Sequence, residues 1–464
     1  MISIITVRRL TPIARVVCTN QPAHIVFQPS VPFEGDSVSK FFTRAGTAGR
    51  VGALAAAGAL VLAGCAESSL GGAHGGGTSV AYGATKAEYQ AAFADMDTIL
   101  LHTQSPGAKG SVAGSFVEKY VAAVEEWSGG KIDFEVAYSD AIAKSTEIDN
   151  AIGDGRLDMG QVLTVYEPKE FPASAALLDA GVLSDQGVVT GTMQSNAWPA
   201  EVAYSTPEII AEFEDKGLHL MMPAYNAGVN ALFCAQPTTT LSDFAGKSIS
   251  VGSTVAGEQV EALGGTSTSV AYTEAYEALQ RGVIDCAMVS PSAAQIGGLI
   301  EVAPHTVIDP AAGLAVPTGN MVFNADLWAN LPLAARQLLW DRLDVFLSAS
   351  IEDKIWPVTA NVVQEIEQYG GAVVPFAGDA RARLTEANDK IVDGIAENSA
   401  LDGAAFAPAV REKTRKWSDI IADLGYENDT DYNGFGEWFA PGKVDIDPYV
   451  QRVFEEVLLD RRPA

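Results

Sequence analysis

One helix-to-strand module occurs twice in this chain, and this duplication constrains the fold more than any other feature. STEIDNAIGDGRLDM occupies residues 145–159, and YTEAYEALQRGVIDC occupies residues 272–286. Each segment opens with a threonine that can cap a helix, carries a short apolar stripe, stops at a glycine and enters a strand. The two segments align without a gap and share five residues: Thr146/Thr273, Glu147/Glu274, Ala151/Ala278, Gly155/Gly282 and Asp158/Asp285. The repeat predicts two α/β lobes of similar architecture.

Two lobes enclose a cleft, and clefts between domains are where small molecules bind. Asp158 and Asp285 could form a carboxylate pair in such a cleft. Their identical place in each module instead favours a local role, such as capping the turn from helix to strand. A Gly-Lys dipeptide and a short strand precede each module, at residues 130–131 and 246–247. Further along, residues 331–368 predict a long helical stretch that Pro357 should kink or interrupt.

The charge balance restricts the class of partner. The formal net charge is −28 at pH 7. Because an acidic surface repels phosphate backbones, the composition argues against nucleic-acid binding. Two interpretations of the acidic surface stay open: it keeps the protein soluble, or it reflects adaptation to salt or attraction of a cation.

The N-terminal region has the pattern of an export signal. Lys40, Arg44 and Arg50 precede an apolar stretch of small residues that ends in Leu-Ala-Gly-Cys at Cys65. The stretch is shorter than the roughly 20 residues needed to span a bilayer. The ending resembles the bacterial lipoprotein signal, which implies lipidation of Cys65 and anchorage on the outer face of the cytoplasmic membrane. Residues 1–37 precede a complete signal, and translation from Val38 is one explanation.

Two cysteines, Cys234 and Cys286, fall in the predicted folded body. An exported protein can pair them if the fold brings them together, and two buried free thiols are the alternative. The C-terminal stretch from residue 427 predicts a short amphipathic helix. We expect it to pack as a strap over the second lobe, with a dimer or permease contact as the alternative.

Five segments in order resemble the DctP-type substrate-binding proteins of tripartite ATP-independent periplasmic (TRAP) transporters. They are EEWSGGKIDFEV, STEIDNAIGDGRLDM, LSDFAGKSISVG, YTEAYEALQRGVIDC and NADLWANLPLAARQLLWD. The resemblance runs from about residue 98 to residue 424. It implies an α/β, two-lobed periplasmic-binding-protein-like fold of the class II type, with a long helix spanning both lobes. It also implies a receptor that closes on a solute by hinge motion and delivers it to an integral-membrane TRAP permease.

The resemblance and the signal together divide the chain into five parts. These are a leader and signal (1–64), a flexible tether (65–95), lobe I (96–230 and 318–357), lobe II (231–317 and 358–426) and a C-terminal extension (427–464).

One departure from the family concerns the ligand. Relatives usually carry an arginine that grips a ligand carboxylate at the position of Ser250. A serine cannot neutralise a buried carboxylate. Three possibilities follow, in this order: a neutral polyol or sugar, a substitute cation such as Lys109 or Lys144, or a metal ion such as calcium that bridges ligand and acids. We therefore expect simple dicarboxylates to bind weakly.

Motif position supplies the candidate ligand-binding residues, most of which can both donate and accept hydrogen bonds. They are Ser250, Asn226, Asn230, Tyr225, Tyr272, Glu274, Ser290, Ser292, Gln104, His102 and Asn320.

Two other functions were considered. A ligand-sensing partner of a membrane signalling protein would use the same fold. A secreted hydrolase would need a catalytic constellation, but the sequence contains no nucleophile elbow, paired-cysteine zinc spacing or phosphate loop. The expected function is therefore a receptor without catalytic residues, metal or resident cofactor.

Overall fold

The computed structural model describes residues 78–226 and 228–464. The predicted signal, Cys65 and most of the predicted tether lie outside the described residues. No helix within the described ranges has the length and apolarity to cross a membrane.

Three sheets organise the described part of the chain, two in the first lobe and one in the second. Their strands are β1 (Ile99–Ser105), β2 (Ile132–Tyr138), β3 (Met159–Val162), β4 (Leu218–Asn226), β5 (Ala231–Cys234), β6 (Ser248–Ser250), β7 (Thr266–Thr268), β8 (Cys286–Val289), β9 (His305–Val307), β10 (Thr318–Asn324) and β11 (Ala372–Val374). Polar turns and glycines separate these short apolar runs, as strand patterning requires.

The first lobe is built on β1–β4 and β10. Strands β1 and β2 are parallel, and β10 lies antiparallel between β3 and β4. A backbone hydrogen bond of 2.8 Å from Asp158 N to His102 O joins β3 to β1. This bond places the parallel pair β2-β1 beside the sheet β3-β10-β4.

The second lobe repeats this plan with the order β7-β6-β8-β5-β9-β11. Strand β6 is parallel to both β7 and β8, and β5 is antiparallel to β8. Each lobe therefore has a parallel β-α-β-α-β unit with its first strand in the middle. The chain passes between the lobes from β4 to β5 and again from β9 to β10, so that the cleft lies between the sheets.

The duplicated aspartates have the same structural role in the two lobes. The Asp158 carboxylate accepts a hydrogen bond of 2.6 Å from His102 N, and the Asp285 carboxylate accepts one of 2.9 Å from Ser248 N. In each case the aspartate N–H donates to the carbonyl of the same partner residue. Each aspartate thus fixes the entry of a new strand beside the central strand, which is a local role.

One sequence correspondence was misplaced. The Gly-Lys at residues 130–131 precedes β2, an outer strand, whereas the Gly-Lys at residues 246–247 precedes β6, a central strand. The topological equivalent of β2 is β7, because β6 occupies the place of β1. The strand partner decides this correspondence, and a local dipeptide carries no information about the partner.

The α-helices pack on both faces of the sheets. They are α1 (Lys86–Phe93), α2 (Ser115–Ser128), α3 (Ile148–Gly153), α4 (Pro172–Asp179), α5 (Thr190–Gln194), α6 (Trp198–Tyr204), α7 (Pro207–Glu214), α8 (Leu241–Phe244), α9 (Thr254–Leu263), α10 (Tyr272–Gln280), α11 (Pro291–Ile296), α12 (Ala325–Asn330), α13 (Leu333–Asp341), α14 (Leu343–Ala349), α15 (Trp356–Gln368), α16 (Gly378–Ile395), α17 (Gly403–Asp423), α18 (Tyr432–Trp438) and α19 (Asp447–Val453).

The end of the predicted tether is folded. Helix α1 lies within residues 65–95 and begins with a capping box between Thr85 and Glu88. Its Tyr89 and Phe93 are buried in the first lobe. These aromatic residues, four positions apart, form one helix face, and their burial extends the domain to at least residue 86.

The C-terminal extension packs on both lobes: α18 lies against α15 and β11 of the second lobe, and the rest of the extension lies on the first. Tyr432 donates a hydrogen bond of 3.1 Å to Gln186 O, and Tyr449 donates one of 2.6 Å to Met193 O. Arg462 forms an ion pair of 2.7 Å with Asp341. The apolar face predicted from the sequence is therefore buried against α5, α6 and the α13–α15 segment.

Cys234 and Cys286 face each other on the antiparallel strands β5 and β8 and form a disulfide. Both residues are fully buried in the second lobe. The bond links positions 52 residues apart in the chain. The strand register settles the alternative that the sequence left open.

We predict that replacing both cysteines, in a Cys234→Ser/Cys286→Ser variant, lowers the free energy of unfolding by about 2–4 kcal/mol because the unfolded chain loses a cross-link. Urea unfolding of the variant and the parent measures this change. Peptide mapping under non-reducing conditions should recover the two cysteines on one linked fragment. Recovery of two free thiols from the parent would contradict the pairing.

Candidate functional site

A cavity of about 140 Å³ lies between the two lobes. The loops after β1 and β2 and the strand end at Tyr225 supply its first-lobe wall. The starts of α9, α10 and α11 supply the second-lobe wall. The chain segments that cross between the lobes close its base.

Six of the residues expected from the sequence line this cavity. They are Gln104, Tyr225, Asn230, Tyr272, Ser290 and Ser292. Gln104 has a structural task as well, because its side-chain amide donates a 2.7 Å hydrogen bond to Ala143 O and its carbonyl accepts one of 3.1 Å from Ala143 N. Ser290 caps α11 by accepting from Ala293 N. Six residues chosen by motif position therefore share one cavity between the lobes.

Five expected residues do not line the cavity. Ser250 is buried beneath it, and its hydroxyl donates to Val270 O at 2.9 Å. Glu274 is exposed at the start of α10. His102 lies beside Asp158, with 2.8 Å between the ring nitrogen and the carboxylate. The Ser250 hydroxyl, expected at the position of the family arginine, is thus bonded within the fold and does not line the cavity.

Asn226 and Asn320 instead hold the crossing strands together. The Asn226 carbonyl oxygen accepts from Gly228 N at 2.6 Å, and its backbone N–H donates to the Asn196 side chain at 2.9 Å. The Asn320 amide donates to Pro223 O at 2.5 Å. Because these amides are used by the backbone, they are satisfied within the fold.

Lys354 is the charged residue that the sequence analysis missed. It lines the cavity and is only 6% exposed. Its ammonium lies 4.5 Å from the ring centre of Phe116 and 5.7 Å from that of Tyr225. The side chain of Lys354 forms no hydrogen bond or ion pair with any residue of the described ranges. Burial lowers the pKa of Lys354 to about 8.

A proline places this lysine. Pro357 has no N–H to donate, so the helical pattern cannot continue normally towards residue 353. The Asp353 carbonyl accepts a hydrogen bond of 2.8 Å from the Ser115 hydroxyl instead. The backbone forms a π-helical turn over Ser350–Ile355, which divides the predicted long helix between α14 and α15. Such turns commonly occur at functional sites.

Asp140 supplies the opposite charge in the cavity lining. Its carboxylate accepts a hydrogen bond of 3.2 Å from the Gln104 amide. Burial raises the pKa of Asp140 to about 6. Asp140 and its neighbour Ser139 have φ values of 50° and 56°, in the left-handed region that non-glycine residues rarely adopt.

Lys109 and Lys144, the substitute cations suggested by the sequence, are exposed and do not line the cavity. Within residues 78–226 and 228–464, no group of three or more His, Cys, Asp or Glu side chains is placed to hold a metal ion. Lys354 is thus the basic side chain that the structure brings to the cavity.

The chain resembles several solved structures of TRAP solute-binding proteins. The protein of Rhodoferax ferrireducens T118 in complex with benzoate has a TM-score of 0.60 at 17% identity, covering 70% of this chain and 99% of that one. A marine metagenome protein specific for pyroglutamate gives 0.58 at 16%, covering 68% and 100%. The ectoine-binding protein of Halomonas elongata gives 0.58 at 18%, covering 68% and 100%. These likenesses establish the two-lobed fold.

Sequence comparison gives the same family. A solute-binding protein of Albidiferax ferrireducens is 26% identical over 205 residues, which are 44% of this chain and 58% of that protein. The match thus spans little more than half the length of this curated relative. The model of bacterial extracellular solute-binding protein family 7, DctP, matches residues 104–399. Because that match covers more than half of the sequence, the chain belongs to the DctP family of bacterial extracellular solute-binding proteins.

Proposed function

We propose that this protein is the extracytoplasmic receptor of a TRAP-type secondary transporter and that it captures a compact organic carboxylate between its lobes. The observation that carries this proposal is the buried Lys354 side chain in the cavity lining, whose ammonium has no ion pair or hydrogen bond with residues 78–226 or 228–464. Burying a charge without a partner costs free energy, and an ion pair with a ligand carboxylate would offset that cost. The lysine favours an anion over the neutral polyol or sugar that the sequence analysis placed first.

The size of the cavity supports a small ligand. Its volume of about 140 Å³ is close to that of cavities that hold a single benzene ring, roughly 150 Å³. Phe116 and the tyrosines at positions 166, 225 and 272 supply flat apolar surface for such a ring. The structural relatives named above bind benzoate and pyroglutamate, which are single-ring carboxylates. A ring-sized carboxylate therefore fits both the charge and the volume.

Delivery to a membrane permease and attachment to the membrane complete the proposal. The DctP family is one of solute-binding proteins and not an enzyme class. The lipoprotein-type ending before Cys65 supports attachment through a lipid, with the receptor held beside the integral-membrane TRAP subunits.

We predict that Lys354→Met weakens binding of benzoate or pyroglutamate, whichever the parent binds, at least about tenfold, because a charge-assisted hydrogen bond is lost. The same change should raise the free energy of unfolding of the ligand-free protein by about 1–3 kcal/mol at pH 7. The reason is that a buried lysine with a lowered pKa destabilises the fold while it is charged. Calorimetric titration and thermal unfolding measure the two effects.

Lys144→Met is the matched control, since it removes one exposed positive charge away from the cavity. This control should change neither affinity nor stability appreciably. A Lys354→Met protein that unfolds more easily and still binds the carboxylate at full strength would show that Lys354 has only a structural role.

The pH dependence of binding follows from the same lysine. Below pH of about 8 the ammonium is charged, and above it the charge is lost, because burial has lowered its pKa. We expect affinity for a carboxylate to be constant between about pH 7 and the pKa and to fall about tenfold per pH unit above it. Titrations at a series of pH values test this, and Lys354→Met should show no such fall. A flat profile in the parent would contradict the assignment.

Membrane attachment is tested at Cys65. We predict that cells expressing the full chain incorporate a labelled fatty acid into the protein, and that Cys65→Ser abolishes incorporation and releases the protein from the membrane fraction. Cys18→Ser is the matched control, because it removes the other leader cysteine. Labelling that survives Cys65→Ser would refute lipidation at this position.

A further inference from the structure

We infer that the natural solute is a zwitterion, in which a carboxylate meets Lys354 and a positively charged nitrogen meets Asp140. This inference rests on the proposed function, because it takes Lys354 as the anchor of the carboxylate. It goes beyond that function by naming a second charged group on the ligand. An amino or imino acid with a single ring is the chemical class that fits.

The two charges of the cavity are available at the same time. Asp140 and Lys354 both line the cavity, yet no ion pair joins them, and no basic side chain pairs with Asp140 in the described part of the chain. If they neutralised each other, the site would present a polar but uncharged lining. Since they do not, each can take a counter-charge from the ligand.

The surroundings of Asp140 are neutral. Its carboxylate receives a hydrogen bond of 3.2 Å from the uncharged amide of Gln104. The rings of Tyr225 and Tyr272 also lie in its electrostatic neighbourhood, and burial raises the pKa of both phenols. A buried carboxylate with neutral neighbours is stabilised by a cation, and the faces of aromatic rings add to that attraction.

The backbone is strained where it presents Asp140. Ser139 and Asp140 are the non-glycine residues with positive φ in the described ranges. Two hydrogen bonds hold them there, from Ser139 N to Gly107 O at 3.1 Å and from Asp140 N to Ser105 O at 3.2 Å. Strained residues of this kind persist where the surrounding structure enforces them, typically at ligand sites. The strain thus independently marks the turn that carries the carboxylate.

The ring of Tyr225 relates the two charges in space. Lys354 Nζ lies 5.7 Å from the centre of this ring, and the Asp140 charge contributes to the raised pKa of its phenol. A ligand placed against Tyr225 would therefore lie near both charged groups. A cavity of about 140 Å³ leaves room for one ring between them.

The test uses pairs of ligands that differ in one ring atom. L-Proline and cyclopentanecarboxylate have the same ring size, as do L-pipecolate and cyclohexanecarboxylate, but only the first of each pair carries a cationic nitrogen. We expect the parent protein at pH 7.5 to bind at least one zwitterion at least tenfold more tightly than its matched anion by calorimetric titration. Equal or tighter binding of the anion in both pairs would overturn the inference.

Asp140→Asn should erase the preference for the zwitterion over its matched anion. Asparagine tolerates the left-handed backbone, so the turn can be kept. Asp215→Asn, which removes an exposed charge elsewhere on the first lobe, should retain the preference. A preference that survives in Asp140→Asn would also overturn the inference. The ligand-pair comparison in the parent decides the question even if the variant does not fold.

Failure of the inference is distinguishable from failure of the proposed function. If benzoate, pyroglutamate or the cycloalkane carboxylates bind and neither zwitterion does, the receptor function stands and the zwitterion assignment falls. If neither the anions nor the zwitterions bind, the carboxylate receptor itself is contradicted, and the zwitterion falls with it.

Discussion

The lysine ammonium in this cleft has no counter-charge among the residues that the structure describes. The ammonium of Lys354 is held against the rings of Phe116 and Tyr225 by a π-helical turn. Lysines in this position either lose their proton or find a counter-charge, and burial already lowers the pKa of Lys354. The charge of Lys354 therefore lowers the stability of the ligand-free protein, although the proposed ligand binding requires that charge.

The β-sheet scaffold around Lys354 follows the same plan in both lobes. In each lobe the first strand of a β-α-β-α-β unit is the central strand. An aspartate just before the third strand accepts a hydrogen bond from the N–H of one central-strand residue and donates one to the carbonyl of the same residue. The chain crosses between the lobes from β4 to β5, from β9 to β10, and again from β10 through α12–α15 to β11. Rigid lobes joined by a few extended segments are suited to hinge closure on a ligand.

Much of the fold followed from the sequence because its signals are local or repeated. The duplicated module predicted two lobes, and the family motifs predicted the α/β class. The disulfide could not be chosen over two free thiols until the register of β5 and β8 was known. The predicted flexible tether extended too far towards the C-terminus, since the capping box at Thr85 and the buried Tyr89 belong to a helix of the folded domain. Six of the residues expected from motif position line the cavity. Ser250, Asn226 and Asn320 instead form hydrogen bonds within the fold, because the direction in which a side chain is buried cannot be read from the sequence.

The sequence by itself determined the fold class, the family and the paired architecture, since helix periodicity, glycine stops and repeated spacing are written along the chain. Only the tertiary structure decided which charged side chains line the cleft. Lys354 lies in what looked like an ordinary helical stretch, and Asp140 lies in a turn without a motif. Their placement depends on the missing N–H at Pro357 and on the strained turn at Ser139. Each feature is held by a hydrogen bond to a residue distant in the sequence.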